Sequence, residues 1–128
     1  MKEAKVIKTP NAPAAIGPYH QAIKVNGFLF CSGQIAIDPK SGKLVTENIS
    51  QETKQVMENI SALLKAESLG TSDIVKTTIF LKNMDNYAAV NEVYASYFQD
   101  ENFPAREAVE VSRLPKNVNI EISIIASI

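Results

Sequence analysis

Arg106 and Glu121 are the residues of this sequence whose types and spacing could do chemistry together. They sit in two β-rich segments near the end of the chain, at about Arg106–Ser112 and Val118–Ser127. A strand turns successive side chains to opposite faces. In the second segment Val118, Ile120, Ile122, Ile124 and Ala126 form an unbroken apolar row, with Val109 and Val111 as the matching row in the first. Arg106, Ala108, Glu110 and Ser112 then share the other face with Asn119, Glu121, Ser123 and Ile125. Across a hairpin, Arg106 and Glu121 are expected within a few residues of each other. If another subunit covers that face, each charge must meet a partner or a ligand, because an isolated buried charge is too costly. The same pattern fits a solvated surface ion pair equally well.

The other reactive side chains exclude more than they promise. Cys31 is the only cysteine, so no intramolecular disulfide can form, and its setting Phe-Leu-Phe-Cys-Ser reads as a buried strand thiol. His20 is the only histidine and cannot build a metal site, so no metal is expected. The net charge is −1, from 13 basic and 14 acidic residues without a block of one sign, so the footprint of a nucleic-acid binder is missing. No run approaches transmembrane length and Met1-Lys2-Glu3-Ala4-Lys5 has no apolar leader character, so the expectation is a cytoplasmic protein without membrane contact. A hydrophobic fraction of 45% over 128 residues suits one globular domain, 1–128.

The elements that must position Arg106 and Glu121 follow from periodicity. Val6-Ile7 suggests a first strand, then a loop from Thr9 to Pro18 in which three prolines and a glycine block helix and ladder. Asn26-Gly27 between Ala22–Val25 and Phe28–Cys31 predicts a hairpin, and Ile35-Ala36-Ile37 is expected to continue the sheet. Val56, Ile60, Leu63 and Leu64 give a helical face within Ser50–Leu69, with Gly70 placed to terminate it. Ile74–Leu81 is β-rich, with Val75, Thr77, Ile79 and Leu81 on one side. A second helix follows through Tyr87, Val90, Val93 or Tyr94, and Tyr97, capped by Asp85 or Asn86. The order implies an α+β fold, a mixed sheet with two helices on one face. The half-apolar second face predicts a homo-oligomer.

Five segments in order carry a resemblance. They are Asn11-Ala12-Pro13-Ala14-Ala15-Ile16-Gly17-Pro18-Tyr19, Ser32-Gly33-Gln34-Ile35, Ile74-Val75-Lys76-Thr77-Thr78, Phe103-Pro104-Ala105-Arg106 with Val109-Glu110-Val111 and Leu114-Pro115-Lys116, and Ile120-Glu121-Ile122. From about Ala12 to Ala126 the chain closely resembles the RidA (YjgF, L-PSP) family. The resemblance implies a chorismate-mutase-like subunit in a homotrimer, with a cleft at each subunit interface. It also implies cofactor-free hydrolysis of 2-imino acids such as 2-iminobutanoate and 2-iminopropanoate to 2-oxo acids and ammonia. Such imines are released by pyridoxal-phosphate enzymes, which the activity would protect.

Carried over by position, Arg106 matches the family's substrate-binding arginine, Glu121 its water-handling glutamate and Tyr19 its cleft tyrosine. Ser32, Gly33, Asn91 and Ala108 fall at further pocket positions. A guanidinium fork suits a carboxylate, and a carboxylate beside a water suits general-base attack on an imine carbon. The chain departs from many deaminases at Glu107-Ala108, where they carry Ser-Cys, and by parity Glu107 is expected toward the helices or the sheet edge. Two other readings remain open: a non-enzymatic regulator that binds small carboxylates through Arg106, and an endoribonuclease, for which a histidine pair, metal cluster and basic groove are missing.

Overall fold

The hairpin at Asn26-Gly27 sets the first register. Both residues take positive φ, 51° and 80°, which a two-residue hairpin turn of this hand requires. They join β2 (Ala22–Val25) to β3 (Phe28–Gln34), with Val25 opposite Phe28. This is a computed structural model, and it describes residues 3–128. The remaining strands are β1 (Lys5–Ile7), β4 (Ile74–Leu81), β5 (Ala105–Glu110) and β6 (Ile120–Ser127), in sheet order β1-β2-β3-β6-β4-β5. All neighbours are antiparallel except β4 and β5.

The helices α1 (Ile49–Lys65) and α2 (Tyr87–Ala95) cover one face. Val56, Met57, Ile60, Leu63 and Leu64 of α1 are buried with Val90 and Tyr94 of α2 against Leu29, Ile79, Leu81 and the β6 row Ile120, Ile122, Ile124 and Ala126. Each buried Val, Leu, Ile or Met among them contributes roughly 1.5–3 kcal/mol. Asn48 caps α1 by accepting from Gln51 N at 2.8 Å. Glu52, in the first turn and fully buried, accepts from Asn119 N and Nδ2 at 2.7 Å each and from Ile120 N at 3.2 Å. A buried carboxylate thus ties the start of α1 to the start of β6.

Several local expectations are corrected. Helix α1 does not run to Gly70: it stops at Lys65, and Ser68 takes the left-handed backbone, φ 58°. Gly70 is extended and donates its N–H to Asp73. Neither Asp85 nor Asn86 caps α2 through its side chain; Asn83 accepts from Asp85 N ahead of a single 3₁₀ turn, Met84–Asn86. Strand β3 ends at Gln34, and beyond it only Ile37 bridges to Leu44. Val75 is 43% exposed because the β4–β6 register shifts between Ile74 and Lys76, which gives the buried position to Ile74.

The largest correction concerns the two closing strands. They form no hairpin: β4 lies between them, and β5 is a parallel edge strand. Arg106 and Ala108 pair with Thr77 and Ile79, buried residues of the helix face, whereas Glu121 pairs with Phe80 on the open face. Arg106 and Glu121 therefore lie on opposite faces of the sheet. Val109 sits on the open face, 43% exposed, and Val111 packs with Ile35, Leu114 and Val118, so neither lies under the helices. Ala108 instead packs against the main core.

Candidate functional site

The candidate residues fall into two groups on opposite faces of the sheet, and each begins with a structural device that fixes a loop or an edge. On the open side, buried Gln21 holds the proline-rich loop. Its Oε1 accepts from Thr9 N at 2.8 Å, and its Nε2 faces the carbonyls of Thr9, Ala12 and Pro13 at 3.0, 3.2 and 2.8 Å. The loop is thereby ordered without secondary structure of its own. Tyr19 closes it: its N–H donates to Gly17 O, and its phenol oxygen accepts from Ile16 N at 3.2 Å. Ser32 Oγ donates to His20 O at 2.6 Å, fastening the end of β3 to the same loop.

Between loop and sheet is a cavity of about 390 Å³, lined by Ile16, Tyr19, Ser32, Gly33, Pro115 and Glu121 among others. Gly33 is glycine for a reason of space. A Cβ there would lie 2.7 Å from Cδ and 3.0 Å from Cγ of Glu121, so the carboxyl group rests directly on the bare backbone. Burial among these walls raises the Glu121 carboxyl above its ordinary value, since desolvation disfavours the anion. Among the described residues no cation pairs with it.

On the helix side, Arg106 projects from β5 against α2. Its Nη2 donates to the Tyr87 hydroxyl at 2.9 Å. Its guanidinium carbon lies 5.0 Å from the Tyr94 ring centre and 5.5 Å from that of Tyr87, within cation–π range. Tyr94 is fixed in turn by a 2.9 Å bond to buried Thr77. Burial raises the Tyr94 phenol, while the Thr77 bond and the Arg106 charge pull it down. Arg106, Asn91, Tyr94, Ala95, Phe103 and Pro104 enclose a second cavity of about 310 Å³. Asn91 Oδ1 is buried there without a hydrogen-bond partner. Among the described residues no carboxylate pairs with Arg106.

The residues singled out from sequence thus fall into two groups. Tyr19, Ser32, Gly33 and Glu121 meet in the first cavity, and Arg106 and Asn91 in the second. Ala108 lies on the Arg106 face one strand period further on. Within one chain the groups do not meet. Glu107 faces neither the helices nor an empty edge: it pairs with Thr78 on the open face, where Lys76 Nζ lies 2.7 Å and Thr78 Oγ1 3.2 Å from its carboxylate. Those contacts hold its carboxyl below the usual range. Cys31 is buried and its thiol is pushed up to about 12 by burial, so it is inert at neutral pH. His20 is exposed, and among the described residues no cluster suits a metal ion.

Sequence reasoning missed Gln21 as the loop's anchor and the roles of Tyr87 and Tyr94. The two tyrosines were visible as helical spacing. Their partnership with Arg106 depends on β5 lying beside α2, a non-local fact.

Comparison with known proteins adds to this geometry. A family described as Endoribonuclease L-PSP matches residues 9–128. A RutC family protein of Pyrococcus horikoshii is 57% identical over 126 residues, 98% of each chain. A protein of Salmonella typhimurium named 2-iminobutanoate/2-iminopropanoate deaminase is 49% identical over 125 residues, 96% of this chain and 97% of its own. Among solved structures, a Rid family protein of unknown function from Yersinia pestis superposes with a TM-score of 0.95 at 51% identity, covering 98% of this chain and 99% of that one.

Proposed function

The chain belongs to the Endoribonuclease L-PSP family, and on that premise we propose that it hydrolyses reactive 2-imino acids to 2-oxo acids and ammonia. The working site is formed where the Arg106 edge of one copy meets the Glu121 cavity of the next, in a homotrimer. The observation that carries this reading is the complementarity of the halves: among the described residues, a guanidinium without an acid on one face and a carboxyl without a cation on the other. The relative from Salmonella typhimurium, named for this activity, supports the choice of reaction. Phe30, Phe80, Ile125 and Val109 on the open sheet face give the copies an apolar surface to share.

In this reading Arg106 grips the carboxylate that every 2-imino acid carries. A water bound beside Glu121 adds its oxygen to the imine carbon, and Glu121 takes the proton released. Glu121 passes that proton to the nitrogen, giving the carbinolamine. This collapses as the hydroxyl proton moves through Glu121 to the same nitrogen: the C–N bond breaks, the carbonyl forms, and ammonia leaves. The raised Glu121 carboxyl suits both directions of that transfer, because a base poised nearer neutrality returns its proton more readily. Tyr19 orients the water or the imine nitrogen, and Ser32, Gly33, Asn91 and Ala108 shape the walls. No cofactor is needed for any step.

A trapping assay tests the reading. Threonine dehydratase generates 2-iminobutanoate in the presence of semicarbazide, and the protein should lower the semicarbazone yield. An unchanged yield at stoichiometric protein would remove the hydrolase assignment and leave small-carboxylate binding by a regulator as the better reading.

A further inference from the structure

The Arg106 pocket contains a contact that the hydrolysis itself does not require. Tyr87 opens α2 with its side chain 40% exposed, and its hydroxyl accepts from Arg106 Nη2 at 2.9 Å. The same guanidinium lies 5.5 Å from the Tyr87 ring centre and 5.0 Å from that of Tyr94. Tyr94 is buried and bonded to Thr77. One arm of the fork is therefore tethered, and both neighbouring surfaces are aromatic.

The chemistry of the tether matters. A free arginine side chain on an edge strand would sample many rotamers and lose that freedom on gripping a ligand. An aspartate or glutamate at position 87 could hold it, but would neutralise the charge and compete with the incoming carboxylate. A phenol holds it without either consequence. It is a neutral acceptor, it occupies one of five N–H donors, and its ring favours a cation above it. The remaining donors stay available for a bidentate carboxylate.

We infer that Tyr87 is a positioning residue that presets the Arg106 fork, and so governs affinity for the acid end of the substrate without taking part in C=N cleavage. The inference rests on the hydrolase reading above. Tyr87→Phe keeps the ring and removes only the tether. It should raise KM for 2-iminobutanoate about fivefold, leave kcat unchanged, and raise the Kd of 2-oxobutanoate by the same factor. Its Tm should match that of the parent. Tyr87→Ala, which also removes the ring, should raise both constants further, again with kcat preserved.

The competing outcomes separate cleanly. A Tyr87→Phe protein with parental KM and parental 2-oxobutanoate affinity overturns the positioning role and leaves the hydrolase reading intact. A fall in kcat at constant KM overturns it too, by placing Tyr87 in the chemistry. A parent protein that neither binds 2-oxobutanoate nor lowers the semicarbazone yield ends both proposals together.

Discussion

Around Arg106 the protein builds with aromatic rings of a helix, and around Glu121 it builds with bare backbone and a loop that brings aliphatic walls and Tyr19. The Arg106 group rests on side chains of α2, one of them locked by Thr77, so its geometry comes from helix-to-edge packing. The Glu121 group rests on Gly33 and on a loop held by Gln21, so its geometry comes from the sheet and from one buried amide. The first environment favours a cation and leaves it unneutralised. The second disfavours an anion and leaves it unpaired. Each half is electrostatically incomplete in the sense that the other would correct, and the proposed two-copy site rests on that contrast.

The strongest way to break the contrast is to disable the halves separately and then combine them. Arg106→Ala should lower kcat/KM at least ~100-fold through lost carboxylate binding. Glu121→Ala should lower kcat by ~100-fold or more while 2-oxobutanoate still binds. If each cleft draws one group from each of two copies, trimers reassembled from an equal mixture of the two variants regain about a quarter of parental activity, because one cleft in four unites an intact Arg106 with an intact Glu121. Mixtures as inactive as their components would show that both groups serve one subunit, and the two-copy site would fall.

A smaller effect sharpens the Glu121 side alone. In Gly33→Ala the new methyl group would occupy the place of the carboxyl, 2.7 Å from its Cδ. Glu121 is the free end of a flexible side chain, so it swings aside and the fold survives. We expect kcat to drop about tenfold with 2-oxobutanoate affinity unchanged, since misplacing a catalytic group is costly for rate. Parental kcat would mean that the position of the carboxyl over Gly33 is immaterial.

The contrast between the halves also explains what the sequence could tell. Local signals held: Asn26-Gly27 makes its hairpin, and Val56, Ile60, Leu63 and Leu64 line the buried face of α1. The β6 row Ile120, Ile122, Ile124 and Ala126 is buried under the helices as its alternation predicts, whereas Val118, ahead of the strand, is buried with Ile35 and Leu114 instead. Alternation fixes which residues of one strand share a face, but not the phase of that strand against another. Arg106 and Glu121 share a face only if β5 and β6 pair directly. The chain instead inserts β4 between them, and nothing within Arg106–Ser127 encodes that choice. It depends on β4 finding β6 across about forty intervening residues. Glu107 shows the same limit. Its partner Lys76 is on β4, so its place on the open face is invisible until the parallel pairing is known.

The smallest expected effect tests whether the Glu121 side truly disfavours its charge. Burial raises its carboxyl above the ordinary value of 4.5. The folded protein then holds the Glu121 proton more tightly than the unfolded chain does. Stability therefore falls as pH rises from the unfolded value through the folded one, and the full penalty is present above it. Glu121→Gln keeps the shape and removes the penalty. Its Tm should exceed that of the parent by roughly 1–2 °C at pH 7, a modest gain because the group is only half buried. The gain should shrink on acidification and vanish below pH 4.5. A Glu121→Gln protein less stable than the parent at pH 7 would mean that the carboxylate is held by favourable contacts. The Glu121 half would then resemble the Arg106 half, a charge cradled by its surroundings, and the reason for the two halves to seek each other would be gone.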